Sequence, residues 1–137
     1  MNQPKSNDTS TTPIAGRILV VEDNYFVAED LKVALERMGL EVVGPAPSVK
    51  KGISLVADDK LIGAILDINI KGGTSVTIAE ALEQRGTPFF FVTGYGSPQA
   101  LPAHMKSVTR MSKPVDDESL RDVVYRMFGR DPGSAAG

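Results

Sequence analysis

Three short, almost purely apolar runs constrain the fold of this chain more than any other feature. They read RILVV, LIGAIL and PFFFVT, and they begin at Arg17, Leu61 and Pro88. Each run is too short for a typical helix and lacks the polar–apolar alternation of a strand with one exposed face. Strands that are covered on both faces have this composition, so the three runs predict the centre of a parallel sheet.

Segments with helical spacing lie between the apolar runs. The clearest follows Asn24 and should end at Gly39, because five apolar residues recur along one helical face: Val27, Leu31, Ala34, Leu35 and Met38. The last helix should begin after Asp116, whose carboxylate can cap it. Val115 and Leu120 are placed as a hydrophobic staple around that cap, which supports the same helix start.

The remaining elements carry weaker signals. We expect them in four ranges, as helices at 48–57 and 74–85 and as polar edge strands at 41–44 and 107–112. Pro98 and Pro102 should keep any helix before His104 short or irregular. Strand and helix thus alternate five times, which predicts a doubly wound α/β fold. We expect a five-stranded parallel sheet of flavodoxin-like order 2-1-3-4-5 with helices on both faces.

The size and composition of the chain limit its organisation and its classes of function. Its 137 residues suffice for one domain, which we place at residues 16–129 between polar tails at 1–15 and 130–137 that should be disordered. A formal net charge of -2 argues against direct binding to nucleic acid. The sequence has no cysteine, no secretory signal and no apolar segment near the ~20 residues of a membrane span, so we expect a cytoplasmic protein without membrane association.

Polar residues follow four of the five predicted strands, at the edge of the sheet where a doubly wound fold places its ligand site. They are Glu22 and Asp23 after the first strand, Asp67 after the third, Thr93 at the end of the fourth and Lys113 after the fifth. Neighbouring carboxylates repel one another unless a cation neutralises them, and oxygen ligands without His or Cys suit Mg²⁺. With this ion and an ammonium beside it, the central carboxylate, Asp67, can act as a nucleophile toward a phosphoryl group.

Each of these residues also has a purely structural interpretation. Glu22 and Asp23 could favour the N-terminus of the first helix, and Asp67 could be a turn residue that ends a strand. Threonine is common in strands, which could account for Thr93. A lysine on an edge strand prevents pairing with another chain, which could account for Lys113. Their positions at the ends of different strands, together with their complementary chemistry, favour a shared site.

Four motifs, VVEDN, LDINI, VTGYG and MSKPV, occur in an order and spacing that resembles the receiver domain of bacterial response regulators. The resemblance covers essentially the whole predicted folded region. It implies that Asp67 is the phospho-acceptor. It also implies that Asp23 and Asp67 bind Mg²⁺ together with the main-chain carbonyl of Asn69, while Glu22 assists through water.

The resemblance also implies which residues bind the phosphoryl group. It implies that the Thr93 hydroxyl and the Lys113 ammonium hold the phosphoryl oxygens, and that the peptide bond between Lys113 and Pro114 is cis. The single histidine, His104, should be an exposed loop residue. The histidine that donates the phosphoryl group should therefore belong to another protein.

Three positions depart from the common receiver pattern. Arg110 stands where receivers usually carry an aromatic switch residue, and Lys71 replaces a frequent proline beside the phospho-acceptor. Tyr95, two residues after Thr93, resembles the motif of the FATGUY subfamily of alphaproteobacterial single-domain regulators. We hypothesise that Tyr95 reorients when Thr93 moves toward phosphorylated Asp67, which would select between two packings of the loop.

Only small and polar residues follow the last predicted helix, so we expect a stand-alone receiver rather than an enzyme. By resemblance, its partners would be histidine kinases, including the HWE type, or a histidine phosphotransfer protein. It would signal by protein binding or act as a phosphate shuttle or sink, as a monomer or weak dimer.

Two other classes stay open. A receiver-like binding scaffold that works without phosphorylation would account for Arg110 and Lys71. A hydrolase with an aspartyl-phosphate intermediate is disfavoured, because Asn69 stands where the haloacid-dehalogenase type carries a second Asp as its acid and base.

Overall fold

The three apolar runs form the central strands of a five-stranded parallel sheet. The computed structural model describes residues 14–58, 60–94 and 101–129. Its strands are, in chain order, β1 (Arg17–Val21), β2 (Glu41–Ala46), β3 (Leu61–Asp67), β4 (Asn69–Ile70), β5 (Gly73–Thr74), β6 (Phe89–Thr93) and β7 (Arg110–Ser112). The sheet has the order β2-β1-β3-β6-β7, and β4 pairs with β5 in a separate antiparallel hairpin. The predicted order 2-1-3-4-5 is confirmed, because β6 and β7 are the fourth and fifth strands of the sheet.

Three α-helices connect strands of the sheet and a fourth follows the last strand, within the described part of the chain. They are α1 (Tyr25–Arg37), α2 (Val49–Val56), α3 (Val76–Arg85) and α4 (Asp117–Phe128). Between β6 and β7 the described residues contain only a 3₁₀ turn, Ala103–Met105. This agrees with the short or irregular helix expected there, although residues 95–100 lie outside the described ranges. No helix in the described ranges is long and apolar enough to cross a bilayer.

Alternate residues of the central strands pack into two separate cores. In β6, Phe89 and Phe91 pack into the core beneath α2 and α3, whereas Phe90 and Val92 pack into the core beneath α1 and α4. The ring of Phe90 stacks on that of Phe128 from α4 at a centroid distance of 5.6 Å. Both faces of the strand are therefore buried, which explains its uniformly apolar sequence.

Side-chain caps fix the starts of three helices. The Oδ1 atom of Asn24 accepts the N–H of Val27 at 3.0 Å, and Ser48 Oγ accepts the N–H of Lys51 at 3.2 Å. The predicted cap of the last helix is confirmed, because Asp116 Oδ2 accepts the N–H of Ser119 at 3.2 Å. The hydrogen bonds from Ser119 also lower the pKa of Asp116.

The structure corrects three predicted boundaries. The folded part reaches at least to Ile14, which is buried and donates its N–H to the carbonyl of Met38 at 3.0 Å, so the predicted boundary at Gly16 was too late. Strand β2 continues past Gly44 to Ala46 through a bulge. Strand β7 begins only at Arg110, because a turn occupies the residues before it. The remaining residues of the two predicted tails, 1–13 and 130–137, lie outside the described ranges.

Candidate functional site

Three carboxylates meet at the carboxyl edge of the sheet. β1 and β3 pair in register up to Val21 and Leu66, so the residues that follow them, Glu22 and Asp67, emerge side by side. One carboxylate oxygen from each of Glu22, Asp23 and Asp67 lies within 4.8 Å of the other two. The structure therefore brings together the three acids that the strand ends predicted.

The ammonium of Lys113 lies between two of these acids. Its Nζ atom is 2.7 Å from Glu22 Oε1 and 3.0 Å from Asp67 Oδ2. The backbone N–H of Lys113 donates to the carbonyl of Thr93 at 3.0 Å, and its peptide bond to Pro114 is cis, as the resemblance implied. Burial opposes the charge of Lys113, but hydrogen bonds to Glu22 and Asp67 outweigh it and raise its pKa.

Glu22 is the most buried acid of the site, with 2% of its surface exposed. Burial raises its pKa, although Lys113 and the N–H of Asn24 favour its charged form; the charge of Asp67 adds to the increase. The hydrogen bond from Asn24 N–H to Glu22 Oε2 measures 3.0 Å. Glu22 is thus held at both oxygens, by Lys113 at one and by the start of α1 at the other.

The donor set fits a Mg²⁺ ion. Three carboxylates and one ammonium leave the cluster with a formal charge of -2, which a divalent cation would neutralise. All the candidate ligands are oxygens, as Mg²⁺ prefers, and Asp23 is exposed, so the cluster is open to solvent on one side. Asn69, whose main-chain carbonyl is predicted to bind the ion together with Asp23 and Asp67, follows Asp67 by two residues at the start of β4.

The two polar residues predicted to hold a phosphoryl group reach the same edge. Asp67 pairs in register with Val92, and Thr93 is the next residue of β6, half-buried at its carboxyl end. Thr93 pairs with Ser112, which directly precedes Lys113. The strand register therefore places Thr93 and Lys113 beside Asp67.

Of the two predicted switch residues, the structure describes Arg110 but not Tyr95. Arg110 is exposed at the start of β7 and pairs with Phe91, two register positions before Ser112, so it lies farther from the carboxyl edge. Tyr95 lies outside the described residues. The switch hypothesis therefore stays a prediction.

Two features near the site were not predicted from the sequence. Tyr25 and Phe26, which directly follow the α1 cap, are 69% and 76% exposed, and their rings contact edge to face. The loop after Asp67 forms the β4–β5 hairpin, whose turn carries Lys71 and packs against the start of α2. Two aromatics outside the apolar stripe of α1, and the KGG sequence at 71–73, were the available signals.

Comparisons with known proteins identify the family. A family model for the response regulator receiver domain matches residues 18–125. The chain is 31% identical over 85 residues to PhyR, a phyllosphere-induced regulator of Methylorubrum extorquens. The aligned region covers 60% of this chain and 32% of PhyR. The chain spans less than half the length of the curated relatives it matches.

A solved relative covers more of the chain. The solution structure of SdrG from Sphingomonas melonis Fr1 is 32% identical with a TM-score of 0.69, covering 84% of this chain and 94% of SdrG. A BeF3-activated conformation of SdrG, from Pseudomonas melonis Fr1, is 31% identical with a TM-score of 0.66, covering 79% of this chain and 92% of that one. The similarity to SdrG and PhyR agrees with the resemblance to the FATGUY subfamily. The chain belongs to the response regulator receiver family.

Proposed function

We propose that this receiver accepts a phosphoryl group on Asp67 from a phosphohistidine of another protein, with Mg²⁺ at the acidic cluster. The observation that carries the proposal is the position of Lys113, whose ammonium contacts Asp67 Oδ2 at 3.0 Å beside two further carboxylates. This set supplies a nucleophile, a cation site and a fixed positive charge within one small region.

In the proposed transfer, a carboxylate oxygen of Asp67 attacks the phosphorus atom of the phosphohistidine. A P–O bond forms as the P–N bond breaks, and the leaving imidazole takes a proton from solvent. Asp23, Asp67 and the Asn69 main-chain carbonyl would hold Mg²⁺, with Glu22 assisting through water, and the ion would supply charge neutralisation at the phosphoryl oxygens. Lys113 would exchange its contact with Asp67 for one with a phosphoryl oxygen.

Thr93 supplies a second contact in this proposal. Its hydroxyl lies at the carboxyl end of β6, one residue beyond the register partner of Asp67, and would donate to another phosphoryl oxygen. Tyr95 and Arg110 would then report the modification, with Tyr95 reorienting as Thr93 moves. If Tyr95→Ala left partner binding equally dependent on phosphorylation, this part of the proposal would fail.

The donor histidine belongs to a partner in this scheme. His104 is exposed on the 3₁₀ turn and contacts Glu83 of α3, with Nε2 3.2 Å from Oε1. Neither residue belongs to the acidic cluster. The partner would be a histidine kinase, for example of the HWE type, or a histidine phosphotransfer protein in the cytoplasm.

The phosphorylated protein would signal by binding a target or by passing on its phosphoryl group as a shuttle or sink. It would assist its own phosphorylation and dephosphorylation rather than turn over a substrate as an enzyme. We propose a monomer or weak dimer for this role. Phosphotransfer profiling against a panel of purified histidine kinases would identify the donor, because the cognate kinase should transfer fastest.

The direct test uses acetyl phosphate or beryllofluoride with Mg²⁺. We expect amide resonances around Asp67, Thr93 and Lys113 to shift in the ¹H–¹⁵N spectrum of the wild type, and not in that of Asp67→Asn. An unchanged wild-type spectrum, together with partner binding that does not depend on phosphorylation, would contradict the proposal. That result would favour the scaffold alternative, to which Arg110 and Lys71 point.

A further inference from the structure

Residues 46–49 form a short connector that runs from the last residue of β2 to the first residue of α2, and it contacts two loops of the site at once. The carbonyl of Ala46 accepts the N–H of Glu22 at 2.9 Å. The N–H of Val49 donates to the carbonyl of Lys71 at 3.0 Å, and Ser48 forms an isolated parallel bridge with Lys71. The connector is therefore bonded on one side to the acidic loop after β1 and on the other to the hairpin loop after β3.

A bulge in β2 makes the first of these contacts possible. Leu19 pairs with Val43 and Val21 with Ala46, so Gly44 and Pro45 together face the single residue Val20. Gly44 has a φ of 99°, and a Cβ there would lie 2.7 Å from Ala46 N and 2.9 Å from Val20 O. Both atoms belong to the backbone and cannot move aside cheaply, so this bulge requires glycine.

The second contact fixes the loop that carries Asn69. Asn69 pairs with Thr74 and Ile70 with Gly73, which leaves Lys71 and Gly72 as a two-residue turn. Ile70 is buried and anchors the hairpin to the core. Since Lys71 is two residues from Asn69, the hydrogen bond from Val49 limits how far the carbonyl of Asn69 can move relative to the acids.

We infer that the connector is a positioning element of the metal site, which sets the spacing between the Glu22–Asp23 loop and the Asn69 carbonyl through its two backbone hydrogen bonds. This inference rests on the proposed function of the site. Groups that hold metal ligands in place affect metal affinity even though they never touch the ion. Mg²⁺ tolerates little distortion of its octahedral shell, which makes its affinity sensitive to such spacing.

Val49→Pro tests the connector by removing one hydrogen bond. Val49 is the first residue of α2, a position that favours proline, and proline has no N–H to donate to Lys71. The preceding Ser48 has φ -149° and ψ 163°, an extended conformation that a following proline accepts. Val49→Ala is the matched control, because it also loses the valine side chain but keeps the N–H.

Calorimetry gives the Mg²⁺ dissociation constant, and acetyl-phosphate labelling gives the Mg²⁺ concentration at half-maximal rate. We expect both values to rise about tenfold in Val49→Pro and to stay close to wild type in Val49→Ala. A purely structural role would lower the urea midpoint without moving these two values. Equal values in wild type and Val49→Pro, or an equal rise in Val49→Ala, would overturn the inference.

Gly44→Ala provides a second variant, with Gly63→Ala as its control. Gly63 lies in β3 against the ring of Phe128, so its substitution should destabilise the fold without touching the connector. We expect weaker Mg²⁺ binding only in Gly44→Ala. Equal Mg²⁺ dissociation constants in Gly44→Ala and Gly63→Ala would contradict a positioning role for the connector. A wild type that binds no Mg²⁺ would overturn the proposed function itself, whereas Mg²⁺ binding by wild type and all variants alike would overturn only this inference.

Discussion

The Nζ atom of Lys113 lies 3.0 Å from Asp67 Oδ2, although 46 residues and the intervening strand β6 separate the two. The same ammonium contacts the buried carboxylate of Glu22. Lys113 therefore neutralises part of a crowded acidic cluster, and it stands beside the atom that would receive a phosphoryl group. Removing its charge should therefore slow phosphoryl transfer but strengthen Mg²⁺ binding.

Lys113→Met should slow phosphorylation by acetyl phosphate about 100-fold, because the transition state loses a charged donor. The same change should tighten Mg²⁺ binding, because it removes a positive charge that repels the cation. Labelling rates at saturating Mg²⁺ and calorimetric titrations measure the two effects separately. Labelling at the wild-type rate would show that Lys113 has no part in the transfer.

Glu22→Gln should change stability in a pH-dependent way. Because burial holds the pKa of Glu22 above its ordinary value of 4.5, the folded protein binds this proton more tightly than the unfolded chain does. The stability that this proton contributes is present below pH 4.5 and is lost as the pH rises through the folded-state pKa.

Without Mg²⁺, Glu22→Gln should therefore unfold at a higher urea concentration than the wild type at neutral pH, and the two midpoints should converge in acid. Added Mg²⁺ should stabilise the wild type more than the variant, since binding to the folded state adds stability. A lower midpoint for the variant at neutral pH would contradict the unfavourable burial of this charge.

Phe26→Ser should impair transfer from a protein donor without impairing the site itself. The described residues expose four large apolar side chains, and three of them, Tyr25, Phe26 and Val33, lie on α1. Tyr25 and Phe26 stand in its first turn, close in sequence to the acidic cluster. We expect transfer from a phosphorylated histidine protein to slow about tenfold, as for an apolar contact at the centre of an interface. Acetyl-phosphate labelling should not change.

Ile53→Ser is the control for this prediction, because Ile53 is exposed on α2 instead. Phe26→Ser should change the free energy of unfolding by no more than about 0.5 kcal/mol, since its side chain is 76% exposed. Ile53 is only 38% exposed, so Ile53→Ser should cost more stability and still leave transfer unchanged. Equal transfer rates in wild type and Phe26→Ser would show that the donor does not dock on this part of α1.

Gly63→Ala should lower the free energy of unfolding by about 1–3 kcal/mol, as overpacked cores do. A Cβ at this position would lie 2.8 Å from Cγ of Phe128, inside the volume of its ring. Urea denaturation of the single variants and of Gly63→Ala/Phe128→Leu tests this cause. The double variant should lose less stability than the sum of the single variants, and simple additivity would exclude the clash.

The sheet and most of the acidic site could be predicted because their signals are local. Phe90 and Phe91 face opposite cores, so a strand that is buried on both sides has an apolar residue at every position. Asp67 and Lys113 directly follow predicted strands, and parallel strands bring such residues to one edge of a sheet.

The parts that escaped prediction depend on contacts between distant backbone atoms. The hydrogen bond from Val49 N–H to Lys71 O involves no side chain, so no residue type marks it in the sequence. Ile14 is buried because its side chain packs in the core beneath α1 and α4 and its N–H bonds to the carbonyl of Met38, and a single apolar residue in a polar tail gives no periodic pattern. Lys71 marked a departure from the common receiver pattern, but the β4–β5 hairpin at this position was not predicted.

The central claim is that Asp67 captures the phosphoryl group, and borohydride trapping tests it most directly. An aspartyl phosphate is an acyl phosphate, which borohydride reduces to homoserine, and peptide mass spectrometry locates the reduced residue. After treatment with acetyl phosphate and Mg²⁺, we predict homoserine at position 67 in the wild type, and none when Mg²⁺ is chelated or in Asp67→Asn. Homoserine at another aspartate, or at no position, would contradict the proposal.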